Sequence, residues 1–155
     1  MSLDPPAGHD DRHQTGRHER RQRARRRALQ ALYQWQITRQ QSGEILSQFR
    51  QAQDLSQIDE AFFENLLRGV IGEQQDLDDS LQPFLDRPMV QVDIMEQAVL
   101  RIGAWELLHC PEVPFRVVLN EAIDLAHRFG AEQGHAFVNG VLDKAARVWR
   151  PKEAV

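Results

Sequence analysis

Apolar side chains recur along most of the chain with the spacing of one face of an α-helix. In the first such segment, Ala28, Leu32 and Trp35 follow the spacing i, i+4 and i+7, which places them on one side of a helix. The same periodicity returns in the later segments, and the last stripe ends by Pro151. Because the alternation typical of a half-buried strand is absent, the pattern predicts an all-α protein, a compact bundle of six to seven helices.

The helical pattern is interrupted near the middle of the chain and does not extend to its beginning. Pro88 disfavours helix in the residue before it, so we predict two packed helical subdomains, about residues 20–87 and 90–150, within one domain spanning 20–152. Residues 1–19 carry two prolines, two glycines and scattered charges, with almost no large apolar side chains. That composition predicts a disordered N-terminal extension.

Glycines mark two helix boundaries in the second half of the chain. Gly130 follows the stripe that ends at Phe129, and it is predicted to end that helix in the left-handed conformation. The next helix is predicted to begin near Gly134, where unpaired backbone N–H groups would be available to a phosphate.

Composition and motifs exclude several classes of protein. No stretch approaches the roughly 18 uncharged apolar residues of a membrane span, and the polar N-terminus has no apolar signal-peptide region. The lone Cys110 excludes a disulfide framework and a cysteine-based zinc site. No glycine-rich phosphate loop or other catalytic constellation is present. We therefore expect a cytoplasmic protein that is not an enzyme and needs no cofactor or metal.

The net charge of −4 conceals a strong asymmetry along the chain. Residues 1–28 hold eight arginines against four acids, a net of +4, whereas the remainder holds eleven basic residues against nineteen acids, a net of −8. Seven of those eight arginines lie within residues 17–27, and the guanidinium fork suits phosphate oxygens. The segment favours nucleic-acid contact over a solubilising tail, without distinguishing RNA from DNA.

Three aromatic side chains are candidates for stacking on bases, namely Tyr33, Trp35 and Phe137. Each of them also falls within a helical apolar stripe. Periodicity alone therefore favours a place in the core for all three.

Four blocks of sequence resemble the NusB family of transcription antitermination factors. In chain order they are Arg23–Gln36, Glu96–Leu107, Val113–Ala126 and Phe129–Lys144. The resemblance implies a cytoplasmic bacterial protein, built of two small helical bundles packed across each other, that has no catalytic activity. It also implies binding to the boxA RNA of ribosomal RNA transcripts as a heterodimer with NusE, within an RNA polymerase complex that suppresses premature termination.

The resemblance also implies roles for individual residues. Those implied to contact RNA are Arg20, Arg21, Arg23, Arg25, Arg26, Arg27, Tyr33, Phe137 and Asn139. Glu96 matches an acidic residue that faces NusE, where it would complement a basic ribosomal protein. One departure from the family pattern is Ala136, where some members carry a basic residue. That departure removes one of the expected phosphate contacts.

Two other functions stay open at this point. A purely protein-binding helical module would bind NusE and have no affinity for RNA. A relative of the N-terminal domain of ribosomal RNA cytosine methyltransferases would need a following Rossmann-like domain and catalytic cysteines, whereas this chain has one cysteine. The sequence is compatible with both a monomer and a homodimer.

Overall fold

The computed structural model describes residues 6–53 and 55–153, with side chains from residue 16 onward. In those ranges the chain forms seven α-helices and two short 3₁₀ turns, with no strand. The helices are α1 (Pro6–Thr38), α2 (Ser42–Ala52), α3 (Glu60–Gly72), α4 (Gln74–Leu81), α5 (Ile94–His109), α6 (Phe115–Phe129) and α7 (Gly134–Trp149). The prediction of an all-α fold with six to seven helices is confirmed. None of the described helices combines the length and the apolar character that crossing a membrane requires.

Helix α5 lies at the centre of the fold. Almost every residue between Glu96 and Leu107 is buried, polar and apolar alike, as expected of a helix enclosed on all sides. It packs against α1, α3 and α4 from the first half of the chain and against α6 and α7 from the second. Since α5 contacts both groups, the division into two halves near Pro88 stays a prediction.

Aspartates fix the starts of two helices near the candidate site. The Asp59 carboxylate accepts the N–H of Phe62 at 3.0 Å at the start of α3. Asp93 accepts the N–H groups of Met95 and Glu96 at the start of α5. A carboxylate there satisfies N–H groups that lack a partner within the helix and interacts favourably with the helix dipole, so each cap contributes about 1 kcal/mol.

The first helix begins earlier than the sequence predicted. Of the expected disordered extension, residues 6–19 belong to α1, whereas residues 1–5 lie outside the described part of the chain. Once the segment from Arg20 to Thr38 is helical, each further residue adds one hydrogen bond without a new nucleation cost. Propagation of an existing helix therefore extends α1 through residues that lack an apolar stripe.

Of the two glycine predictions in the second half, the left-handed conformation of Gly130 is wrong, whereas a helix does begin at Gly134. Gly130 has φ −87° and ψ 178°, an extended conformation rather than the left-handed one, and a Cβ there would lie 2.6 Å from the Ala126 carbonyl oxygen. The left-handed residue is Gln133, with φ 71°, and it precedes Gly134, the first residue of α7. A Cβ on Gly134 would lie 2.6 Å from the Glu96 carboxylate. Close approach of other groups is thus the reason for glycine at both positions.

Candidate nucleic-acid interface

One side of α1 carries two arginines of the arginine-rich segment together with partly or fully exposed residues of the turns that follow it. With 3.6 residues per turn, these positions share a side of the helix that we call the outer face. The outer face consists of Arg23, Arg26, Gln30, Tyr33 and Ile37. Tyr33 is 40% exposed and Ile37 is 60% exposed. The outer face therefore combines guanidinium groups with an exposed aromatic ring. Periodicity favoured a place in the core for Tyr33, and that prediction is wrong.

Two arginines are held in place by the connection between α2 and α3. The Arg20 guanidinium donates to the carbonyl oxygens of Ser56 at 3.1 Å and Ile58 at 2.9 Å. Arg23 donates to the carbonyl oxygen of Gln57 at 3.3 Å, while its side chain stays 44% exposed. Since a guanidinium has five N–H donors, this anchoring orients Arg23 and leaves most of its donors for another acceptor.

The next two arginines, Arg26 and Arg27, lie further toward the C-terminal end of α1. Arg26 approaches the Asp124 carboxylate of α6 at 3.7 Å, and its side chain is 27% exposed. Arg27 is half-buried. The Nε–H groups of both residues are buried without a hydrogen-bond partner in the described part of the chain. An acidic neighbour offsets part of the charge of each outer-face arginine, Asp124 for Arg26 and Glu19, at 4.0 Å, for Arg23. Arg23 is the more exposed of the two, at 44% against 27%.

A second group of arginines lies on the opposite side of α1. Arg17, Arg21 and Arg25 follow the spacing i, i+4 and i+8, and we call them the inner row. Arg21 is half-buried, with its Nε 3.5 Å from the Asp59 carboxylate and its guanidinium 4.5 Å from the centre of the Phe62 ring. The arginine-rich segment thus presents charge in two directions, which its density in the sequence does not reveal.

Arg25 is a core residue, which corrects its expected place on the RNA surface. Its side chain is 1% exposed, and it forms a two-pronged ion pair with Glu106 of α5 at 2.9 and 2.7 Å. Burial acts to lower the pKa of Arg25, but the hydrogen bond and the charge of Glu106 outweigh it and raise that pKa. The guanidinium therefore stays charged inside the protein, away from the outer face, because a carboxylate 81 residues further along the chain pairs with it.

The two predicted contacts on α7 lie on different sides of that helix. Phe137 is half-buried, with the Arg87 guanidinium 4.8 Å from its ring centre, whereas Asn139 is exposed. Residues two apart are rotated by about 200° on a helix and do not face each other. The structure therefore does not bring Phe137 and Asn139 together on one face.

Arg87 is a residue near Phe137 that the sequence gave no reason to single out. It lies in the connection between α4 and α5, where Asp86 holds its guanidinium at 2.8 and 3.3 Å. Lys144 lines the same shallow pocket as Phe137. Lys144 and Asp86 line that pocket together with Ala136, whereas Arg87 is placed by its contact with the Phe137 ring.

Glu96 is buried rather than exposed, which corrects its expected place on a partner-facing surface. It is 7% exposed and accepts the backbone N–H of Ala131 in the connection before α7. Burial, with a smaller contribution from the charge of Asp93, raises the pKa of the Glu96 carboxyl. Its carboxylate also lies against Gly134. Glu96 therefore joins the start of α5 to the start of α7.

Comparison with known proteins identifies the family. The sequence model described as the NusB family matches residues 22–147. The transcription antitermination protein NusB of Nitrosococcus oceani is 58% identical over 134 residues, which cover 86% of this chain and 90% of that protein. The corresponding protein of Xanthomonas axonopodis pv. citri is 52% identical over 134 residues, covering 86% and 84%.

Two solved structures share the fold. T. maritima NusB superposes with a TM-score of 0.76 at 29% identity, covering 86% of this chain and 94% of that one. A chain from the crystal structure of the antitermination factors NusB and NusE in complex with double-stranded RNA gives a TM-score of 0.71, covering 82% and 96%. Its identity is 21%, so this second likeness shows the fold alone.

Proposed function

Because this chain belongs to the NusB family, we propose that it acts in the cytoplasm as a transcription antitermination factor that binds boxA-type single-stranded RNA together with NusE. In this proposal it joins the RNA polymerase antitermination complex and has no catalytic role. The observation that supports RNA binding most directly is the outer face of α1, where an anchored Arg23 and an exposed Tyr33 share one side of the helix.

The chemistry of the outer face suits a single strand of RNA. Arginine offers forked donors to phosphate oxygens, and neutralising phosphates releases condensed counterions. The exposed ring of Tyr33 adds a stacking surface, which is worth about 1–3 kcal/mol per base. An RNA strand lying along α1 would therefore meet charge at Arg23 and Arg26 and an aromatic surface at Tyr33, about two turns beyond Arg26.

A second proposed contact lies at Phe137. The guanidinium of Arg87 over that ring and the ammonium of Lys144 beside it supply positive charge next to Ala136. We assign the phosphate contact expected at Ala136 to these two residues. The Arg87 guanidinium donates a hydrogen bond to the Asp86 carboxylate, and this contact fixes its orientation.

The acidic remainder of the chain suits a basic partner such as NusE. The net charge of −8 outside the first 28 residues would steer a basic protein toward the helical body. Because Glu96 is buried, its contribution under this proposal is indirect: it holds the connection before α7 in place.

The test is a titration of fluorescently labelled boxA RNA with the full chain, with and without NusE. The expected result is tighter binding to boxA than to a scrambled single strand or to double-stranded RNA, and a further gain with NusE. Arg23→Gln should weaken binding. Arg68→Gln is the matched control, because it removes the same charge from α3, where Arg68 pairs with Glu64 of its own helix at 3.0 Å.

Two results would overturn the proposal in different ways. Binding to NusE without any affinity for RNA would identify a protein-binding module. Equal binding to boxA and scrambled RNA, with no effect of NusE, would leave a nonspecific polyanion-binding surface.

A further inference from the structure

We propose that Arg128 of α6 is a further contact for the RNA backbone, joined to the outer face of α1 through Asp124. Arg128 touches the same RNA strand as the outer face, so its role rests on the proposed function. The interface then extends over two helices, and Asp124 limits the affinity of both.

One carboxylate and two guanidinium groups meet where α1 lies against α6. Arg26 of α1 places its Nη2 3.7 Å from Oδ2 of Asp124, and Arg128 places its Nε 3.0 Å from the same oxygen. The two arginines therefore approach one oxygen atom from different helices. We call Arg26, Asp124 and Arg128 the α1–α6 bridge. Two cations and one anion leave the bridge with an uncompensated positive charge.

Arg128 is the more exposed of the two arginines in the bridge. Its side chain is 49% exposed, against 27% for Arg26. Its Nε–H donates to the Asp124 carboxylate at 3.1 Å and 3.0 Å, whereas a guanidinium has five N–H donors. The pair with Asp124 thus leaves the donors on the two terminal nitrogens of Arg128 for a phosphate, which suits the guanidinium fork.

The α1–α6 bridge lies beside the path proposed for RNA along the outer face. Arg26 belongs to that face, with Arg23 about one turn before it and Tyr33 about two turns after it. A strand that places a phosphate at Arg26 therefore also passes Asp124 and Arg128. Continuity with the outer face favours an RNA backbone over a free anion as the ligand.

Asp124 opposes RNA in this arrangement. Its carboxylate occupies the Nε–H of Arg128, offsets part of the charge of Arg26, and repels a phosphate that approaches either arginine. Asp124→Asn removes the negative charge and keeps a side chain of nearly the same size. RNA affinity should therefore rise about two- to fivefold, the size of effect expected from one surface ion pair. Since phosphate contacts carry no sequence information, boxA and scrambled RNA should gain by the same factor.

A purely structural role of Arg128 predicts a different result. Arg128 lies in the last turn of α6, where a cation interacts favourably with the helix dipole, and it pairs with Asp124 four residues earlier. Those effects concern the stability of α6 and would leave RNA affinity unchanged in variants of either residue. Opposite effects of Arg128→Gln and Asp124→Asn on RNA affinity are expected only of an RNA contact.

Helix α7 offers a matched control. Arg147 lies in the last turn of α7, and its Nε is 3.1 Å from the carboxylate of Asp143, four residues earlier in the same helix. Its side chain is 54% exposed, close to the value for Arg128. The pair reproduces the residue types, the spacing and the helix position of Arg128 and Asp124, and it is not part of the α1–α6 bridge.

The experiment measures the affinity of the full chain for boxA RNA and for a scrambled single strand over a salt series, first without and then with NusE. Arg128→Gln should weaken boxA binding about two- to fivefold and lower the slope of log affinity against log salt by roughly 0.7. Arg128→Lys keeps the charge and should retain the wild-type slope. Asp124→Asn should tighten both RNAs, whereas Arg147→Gln and Asp143→Asn should change neither.

The possible failures are distinguishable. A wild-type chain that binds no RNA would refute the proposed function and the role of Arg128 with it. If Arg23→Gln weakens binding but Arg128→Gln matches Arg147→Gln, the contact at Arg128 is refuted and the proposed function stands. Binding that Asp124→Asn leaves unchanged or weakens has the same consequence. A loss in Arg128→Gln that occurs only with NusE present would assign Arg128 to the protein partner and overturn the RNA contact.

Discussion

The buried ion pair between Arg25 and Glu106 yields a prediction that separates stability from RNA binding. Glu106→Gln would leave the guanidinium of Arg25 charged and without a counter-ion at 1% exposure. Removing one partner of a buried pair typically costs about 3–5 kcal/mol, because the remaining charge has lost both water and its partner. For a chain of this size each kcal/mol lowers the melting temperature by about 2–4 °C, so we expect a decrease of roughly 6–20 °C.

The double variant Arg25→Met/Glu106→Leu provides the contrast. Replacing both charges by apolar groups of similar volume is often neutral or stabilising, so it should recover most of the stability lost in Glu106→Gln. Urea unfolding followed by far-ultraviolet circular dichroism measures the free energy of unfolding of both variants against wild type. RNA affinity of the double variant should stay close to that of wild type, because Arg25 does not reach the outer face. A Glu106→Gln variant as stable as wild type, or a double variant that loses RNA binding as Arg23→Gln does, would refute this reasoning.

Three further predictions concern stability and reactivity. Gly69→Ala should lower the free energy of unfolding in urea by about 1–3 kcal/mol, because the new Cβ would overlap the Trp105 indole. Gly72→Ala has open space around the new Cβ and should raise the free energy of unfolding by up to about 1 kcal/mol. Equal effects of the two substitutions would contradict the close contact at Gly69. Because the pKa of Glu96 is raised, the folded state binds the proton of this carboxyl more tightly than the unfolded state does. Wild type should therefore gain stability relative to Glu96→Gln as the pH falls from neutral into the range where carboxyl groups titrate. A loss of relative stability over that pH range would contradict the burial of Glu96. Burial first, and then the charges of Glu106 and Glu112, raise the pKa of the Cys110 thiol to about 12, so a thiol reagent at neutral pH should label it far faster in urea than in the native protein.

The sequence predicted the class of fold because each helix carries its own apolar stripe. The stripe of Ala28, Leu32 and Trp35 is buried as expected. The start of α1 was missed, because a helix can extend through polar residues once a packed segment has formed it. Apolar periodicity indicates a helix that packs against a core, and a helical stretch without an apolar stripe in its sequence gives no such signal.

The candidate site was predictable in composition and only partly in geometry. Dense arginines indicated phosphate contact, but their partition between the outer face and the inner row depends on the rotation of α1 against α5 and α6. Arg25 and Glu96 were misplaced for one reason: each is paired with a group far away in the chain, Glu106 in the first case and the Ala131 N–H in the second. No local pattern encodes such pairs.

Single-stranded RNA is proposed to lie along the outer face of α1. The most direct measurement is the salt dependence of boxA affinity for wild type, Arg23→Gln and Arg23→Gln/Arg26→Gln, with Arg68→Gln as the control. The slope of log affinity against log salt is expected to fall by roughly 0.7 for each phosphate contact removed and to be unchanged in the control. A slope that is the same in all four proteins would contradict it.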